Sequence, residues 1–139
     1  MRNLIYTILA LGFLMVSCGS PKNTVASTDN QKEEPVRIAN DSLEYEIIII
    51  DIGFTSYLAT AKPMSYYSQS YLEARNRIYV TEWNNRARNL TRYDASIYEN
   101  VIDYQPNIDY GLEVNYKLFN YFQFAQRKYN MRLGSFRVQ

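Results

Sequence analysis

The spacing of hydrophobic positions changes several times along this chain. Residues 4–16 form an uncharged apolar run directly behind Arg2. Residues 19–40 contain no aromatic side chain and are dominated by Ser, Thr, Asn, Lys, Glu and Pro, a composition that cannot bury enough apolar surface to offset its ordering entropy. An abrupt block follows at Ile47-Ile48-Ile49-Ile50. Four β-branched residues without polar alternation predict a strand over 44–51 that is covered on both faces. Asp51 and Gly53 end it. Residues 54–59 suit one short helical turn, stopped by Pro63.

A helix is predicted over 68–89. Ser70-Tyr71-Leu72-Glu73 fits a capping box, and Glu73/Arg77 and Glu82/Arg86 stand four apart in the favourable order. Leu72, Tyr79, Trp83 and Leu90 fall along one side, with Ile78 beside them. Tyr98, Val101, Ile102 and Tyr104 suggest a second strand over 98–104, ended by the turn Gln105-Pro106-Asn107. Residues 111–118 fit either element. Leu112, Val114, Tyr116 and Leu118 alternate with polar residues as in a strand, while Leu112, Tyr116, Phe119 and Phe122 fit a helix. Basic residues late in the segment, Arg127 and Lys128, favour a helix over 111–131. Phe136 and Val138, after Gly134, suit a short edge strand. The expected fold is α+β, with a small sheet around 44–51 covered by two long helices.

Composition narrows the chemistry. The chain has 139 residues, enough for one domain and a tail, with 15 basic and 14 acidic residues, no histidine and one cysteine. An intrachain disulfide is impossible. Nucleophilic catalysis with a histidine base is excluded, and the commonest zinc ligand is missing. No calcium-loop spacing occurs among Asp94, Glu99, Asp103 and Asp109, so no metal and no cofactor is expected. No global basic field exists for nucleic acid. Charge is segregated locally: five arginines and only Glu82 lie between 75 and 92, five acids and no base over 94–113, and four acids without a base over 41–51. Pairing of the basic helix with the acidic segments is favoured over a site for an anionic partner.

The amino terminus has the pattern of an address. An apolar run of 13 residues is too short to span a bilayer, which takes about 20, and it fits the core of a secretory signal. Leu14-Met15-Val16-Ser17-Cys18-Gly19 resembles the lipobox of bacterial lipoproteins. The resemblance implies cleavage before Cys18, a thioether-linked diacylglycerol on its sulfur and acylation of the new amino group. Each buried methylene contributes about 0.8 kcal/mol, so two or three chains anchor stably where one does not. The expected organisation is a signal peptide over 1–17, the lipidated Cys18 with a flexible tether to residue 40, and a single domain over 41–139. The tether spans about 25 Å as a coil and at most about 75 Å extended. No acidic residue occurs over 19–23, which favours the periplasmic face of the outer membrane over the cell surface.

Several strings within the domain form a further pattern. Asp41-Ser42-Leu43-Glu44-Tyr45-Glu46 heads the apolar strand, and Tyr66-Tyr67-Ser68 precedes the first long helix. Tyr79-Val80-Thr81-Glu82-Trp83-Asn84 and Asp109-Tyr110-Gly111-Leu112-Glu113-Val114-Asn115-Tyr116 follow. Together they resemble a family of small Gram-negative bacterial lipoproteins catalogued only as a domain of unknown function. The resemblance covers nearly all of 41–139 and implies a lipoprotein location, with no assigned activity.

Tyrosine is the compositional excess, at 14 residues, 13 of them after residue 40. A phenol offers a flat apolar face and one hydroxyl, suited to sugar stacking and to protein interfaces. Most must serve the core; Tyr66, Tyr67 and Tyr71, near the loop before the helix, are expected to face solvent. The expected function is a non-enzymatic interaction or binding module of the cell envelope, with envelope proteins or cell-wall glycan as partners and no nucleic acid. Its candidate binding residues are Tyr66, Tyr67, Trp83, Arg86 and Arg88. The alternative is a carbohydrate-active enzyme working through a carboxylate such as Glu82, whose pKa the neighbouring indole could raise, or Glu113.

Overall fold

The computed structural model describes residues 35–138. The signal peptide, Cys18 and most of the expected tether lie outside the described residues. Strand β1 (Val36–Asn40) turns through a single 3₁₀ turn at Asp41–Leu43 into β2 (Tyr45–Ile49). The two pair antiparallel, Ile38 opposite Ile47 and Val36 opposite Ile49. Asn40 accepts from the Ser42 N–H at 3.0 Å to start the turn, and Glu44 leaves it in the left-handed region at φ 51°. Helix α1 (Phe54–Thr60), a 3₁₀ turn at Met64–Tyr66, α2 (Gln69–Ala87) and α3 (Gly111–Lys128) complete the α+β architecture.

Helix α3 is the centre of the domain. It packs against α2, α1 and β1. Val114, Leu118, Phe119, Phe122 and Ala125 are buried, and so are Asn115, Asn120, Gln123 and Gln126. A helix enclosed on most sides needs its polar groups satisfied internally. Asn115 accepts from Asn76 of α2 at 3.1 Å and from the Tyr104 hydroxyl at 2.8 Å, and donates to the Gly111 carbonyl at 2.9 Å. Gln123 donates to the Tyr79 hydroxyl at 3.1 Å. This settles the ambiguity at 111–118: Asn115 is an inward-facing polar residue, and its place in the pattern imitated strand alternation.

Three expectations are corrected. Residues 36–40, read as the end of the tether, form β1; Val36 and Ile38 point inward while Arg37 stays outside, bonding Glu46 at 2.6 Å and Asp41 at 2.8 Å. The isoleucine run is covered on one face only. Ile47 and Ile49 face the domain, whereas Ile48 and Ile50 remain 58% and 77% exposed, because among the described residues the sheet has just two strands and no layer beyond them. Residues 98–104 form no strand but an irregular, bent segment. The Asn84 carboxamide donates to the Ile102 carbonyl and accepts from its N–H, both at 2.8 Å, taking the place of a neighbouring strand.

The ends of the elements also differ in detail. The α2 cap is Ser68, whose hydroxyl accepts from the Tyr71 N–H at 3.3 Å, and not Ser70. Glu73 accepts from Gln69 at 2.8 Å instead of closing a capping box. Leu72, Tyr79 and Trp83 are buried as expected, while Ile78 and Leu90 are exposed. No strand forms after Gly134 among the described residues; the Phe136 ring lies 3.5 Å beneath the Arg75 guanidinium.

Candidate functional site

The chain between α1 and α2 is shaped by Pro63, whose φ of −62° leads into the 3₁₀ turn. Tyr66 and Tyr67 close that turn with N–H bonds to the Pro63 carbonyl at 2.9 Å and the Met64 carbonyl at 3.2 Å. Ser68 then caps α2, which puts Tyr71 on its first turn. Three phenols consequently meet at the amino-terminal end of α2. Tyr66 is 62% exposed and stands edge-on to Tyr67, with centroids 5.0 Å apart. Tyr67 and Tyr71 are nearly parallel at 5.9 Å. Phe119 of α3 supports the pair from below, 5.3 Å from Tyr67 and 6.1 Å from Tyr71.

Cations flank the group. Lys62 lies 4.2 Å over the Tyr66 ring and Arg75 lies 5.1 Å over Tyr71. Tyr66, Tyr67, Ser68 and Tyr71 line a concavity of about 320 Å³. Burial pushes the Tyr67 hydroxyl above its ordinary pKa, so at neutral pH it is a hydrogen-bond donor. The site offers ring faces for the apolar side of a pyranose, hydroxyls for its polar edge and two cations for a negative substituent. Lys62 and Arg75 were not singled out from sequence; the four-residue spacing of Tyr71 and Arg75 on one helix was the available signal.

The other candidates lie elsewhere. Trp83 is 3% exposed, its indole N–H donating to the Asn100 carbonyl at 3.0 Å. The Arg86 side chain is 14% exposed and fully engaged. It holds Glu82 at 2.7 Å, the Tyr98 hydroxyl at 2.9 Å and the Arg132 carbonyl at 2.5 Å. Burial works against its charge, but the bonds to Tyr98 and Glu82 outweigh that, so its pKa is raised. Trp83 and Arg86 therefore hold the fold together. Arg88 is exposed at the opposite end of α2 from the tyrosines, a helix roughly 28 Å long. The five residues do not converge on one surface.

The arginines of α2 mostly meet carbonyls and rings, with Arg77 donating to the Pro106 carbonyl at 3.0 Å. Their expected pairing with acidic segments is limited to Glu82 within the helix itself. Glu82 is thus occupied by Arg86, and Glu113 pairs with Lys117 at 2.7 Å on the surface of α3. The cavity beside Trp83 is bordered by two other carboxylates, Asp51 and Glu99. Asp51 accepts from Lys128 and, at 3.0 Å, from the Tyr129 hydroxyl.

The elements and the tyrosine patch define a small α+β domain with an exposed aromatic surface beside a helix terminus. The chain belongs to a family of unknown function (DUF6146), whose profile matches residues 6–138. No curated protein and no solved structure matches it.

Proposed function

We propose that this protein is a lipid-anchored module of the cell envelope, held through Cys18 to the periplasmic face of the outer membrane, and that it binds cell-wall glycan without catalysis. The observation that carries the binding reading is the group formed by the exposed Tyr66 and the two rings behind it, with its two cations; Tyr67 and Tyr71, expected to face solvent, are half-buried against the core. The anchor reading rests on the apolar run and the lipobox-like string ending at Cys18. Peptidoglycan presents stacked sugar faces and carboxylates, which suit aromatic rings flanked by Lys62 and Arg75. An envelope protein is the other partner such a surface can take. The enzymatic alternative is less well supported, since Glu82 and Glu113 are each held in an ion pair.

Two experiments test these statements. A Cys18→Ser variant is expected to leave the membrane fraction; continued membrane fractionation refutes the lipid anchor. Tyr66→Ala is expected to reduce co-sedimentation with purified peptidoglycan about tenfold, the loss of one central aromatic contact. The exposed ring contributes little to folding, so the melting temperature serves as the control. Unchanged retention removes the glycan reading.

A further inference from the structure

The second edge of β2 has no strand beside it among the described residues. Opposite that edge runs the irregular chain of residues 96–103, which leaves a turn closed by the Ile97 and Tyr98 N–H groups on the Asp94 carbonyl, and a groove separates the two. Near the start of β2 the groove holds about 320 Å³, bordered by residues 44–47 on one side and 101–103 on the other. Near the end of β2 it holds about 180 Å³, bordered by residues 47–51 and by Trp83, Asn100, Tyr121 and their neighbours. Ile47 and Ile102 border both lengths, so the two hollows adjoin along the same edge of β2.

Its far wall is held from behind. The Asn100 carbonyl is taken by Trp83 and both peptide groups of Ile102 by Asn84. Val101 and Asp103 border the groove, and their peptide groups make no hydrogen bond within the described residues. The floor contains a further open donor. Tyr121 is only 9% exposed, and its hydroxyl makes no hydrogen bond within the described residues.

The charge is of one sign. Glu44, Glu46 and Asp103 border one length and Asp51 and Glu99 the other, with no lysine or arginine among the bordering residues. Glu46 is paired with Arg37 and Asp51 with Lys128, while Glu44, Glu99 and Asp103 make no ion pair within the described residues. No three carboxylates among the described residues stand close enough to share a metal ion, so the acids are distributed along the groove. A second copy docking by its own β2 would set Glu44 and Glu46 against an identical acidic edge, and like charges across a strand pair repel.

We propose that this groove binds an extended peptide segment bearing lysine or arginine, contributed by a partner protein, which adds to β2 as a third strand. Main-chain bonds to the free edge supply affinity irrespective of sequence, and the row of carboxylates selects basic side chains. Strand β2, five residues, offers an edge of roughly 17 Å. This site is independent of the tyrosine patch.

The test is fluorescence anisotropy of a labelled, alternating lysine–valine octapeptide with the full chain in mild detergent. Saturable binding is expected. The same peptide N-methylated at alternate residues, which cannot pair along a strand, is expected to bind about tenfold weaker or worse. So is the native peptide with an E99K/D103K variant. Both positions are exposed and carry no side-chain bond, so this variant is expected to melt as the parent does. Amide-shift mapping on the unaltered chain should locate the peptide at residues 45–49 and 99–103. Absence of saturable binding, equal binding of the N-methylated peptide, an unaffected variant, or shifts confined to another surface each overturn the proposal.

Discussion

Phe122→Ala is expected to lower folding stability by about 4 kcal/mol, at the upper end of single core truncations. Phe122 is fully buried on the central helix. Its ring lies 5.5 Å from Tyr79 and 5.9 Å from both Trp83 and Tyr121, so it joins α2 to α3 through an aromatic cluster. Two of these neighbours are fixed elsewhere: Trp83 by Asn100 and Tyr79 by Gln123. They cannot easily collapse into the space a missing ring leaves, which is the circumstance that makes a cavity expensive. Domains of this size are stable by only about 5–15 kcal/mol. Urea unfolding should show the midpoint falling sharply with an unchanged slope. A loss below about 1.5 kcal/mol, as an adaptable site gives, would mean that α2 and α3 do not meet through this ring.

The second large effect is alkaline unfolding. Burial, with the charge of Glu73 adding to it, pushes the Tyr104 hydroxyl up to about 12. Burial raises Tyr45 and Tyr121 as well, Tyr45 beside Tyr110 and Tyr121 beside Asp51. An unfolded phenol releases its proton near pH 10. Below that pH both states are protonated and the stability tied to these groups is fully present. Above it the unfolded chain sheds protons that the folded chain retains, and stability falls as pH climbs toward the folded values. Each tenfold mismatch in proton affinity is worth about 1.4 kcal/mol, so Tyr104 alone removes about 2 kcal/mol by pH 12. Tyrosinate absorbance and loss of helical circular dichroism are expected to rise together between pH 10 and 12. Tyrosinate appearing well before the helices melt would show that these phenols are accessible in the folded domain.

What the sequence disclosed follows from which interactions are local. The isoleucine block and the four-residue ion pair of Glu82 and Arg86 act within a few residues, and β2 and α2 stand close to where they were expected. Strand β1 escaped notice because it has only Val36 and Ile38 to signal burial and follows a long polar segment. The exposed isoleucines could not be read from their own pattern, because coverage depends on how many strands the sheet has. Residues 98–104 carry the right apolar members for a strand, but their pairing partner is the side chain of Asn84, 18 residues away. For the site, Tyr66 and Tyr67 were legible from their position beside a turn. Trp83 and Arg86 were not: the contacts that internalise them come from Asn100, Tyr98 and Arg132, remote in sequence, and an arginine with a helical glutamate partner looks identical on a surface or in a core.

The place of β1 has a mechanical consequence. It is the first described element, and Val36 pairs with Ile49 at the outer end of the hairpin. Tension arriving along the chain from its amino-terminal side loads that pair first. The ladder then opens bond by bond from Val36 toward Asn40, a peeling geometry that yields at lower force than simultaneous shear of all its bonds. Releasing the strand would lengthen the chain by about 17 Å at about 3.3 Å per residue and lift Ile38 from its buried position. The first strand is thus where a pull on the domain would be felt first, and its yielding would uncover the face of α3 on which it packs.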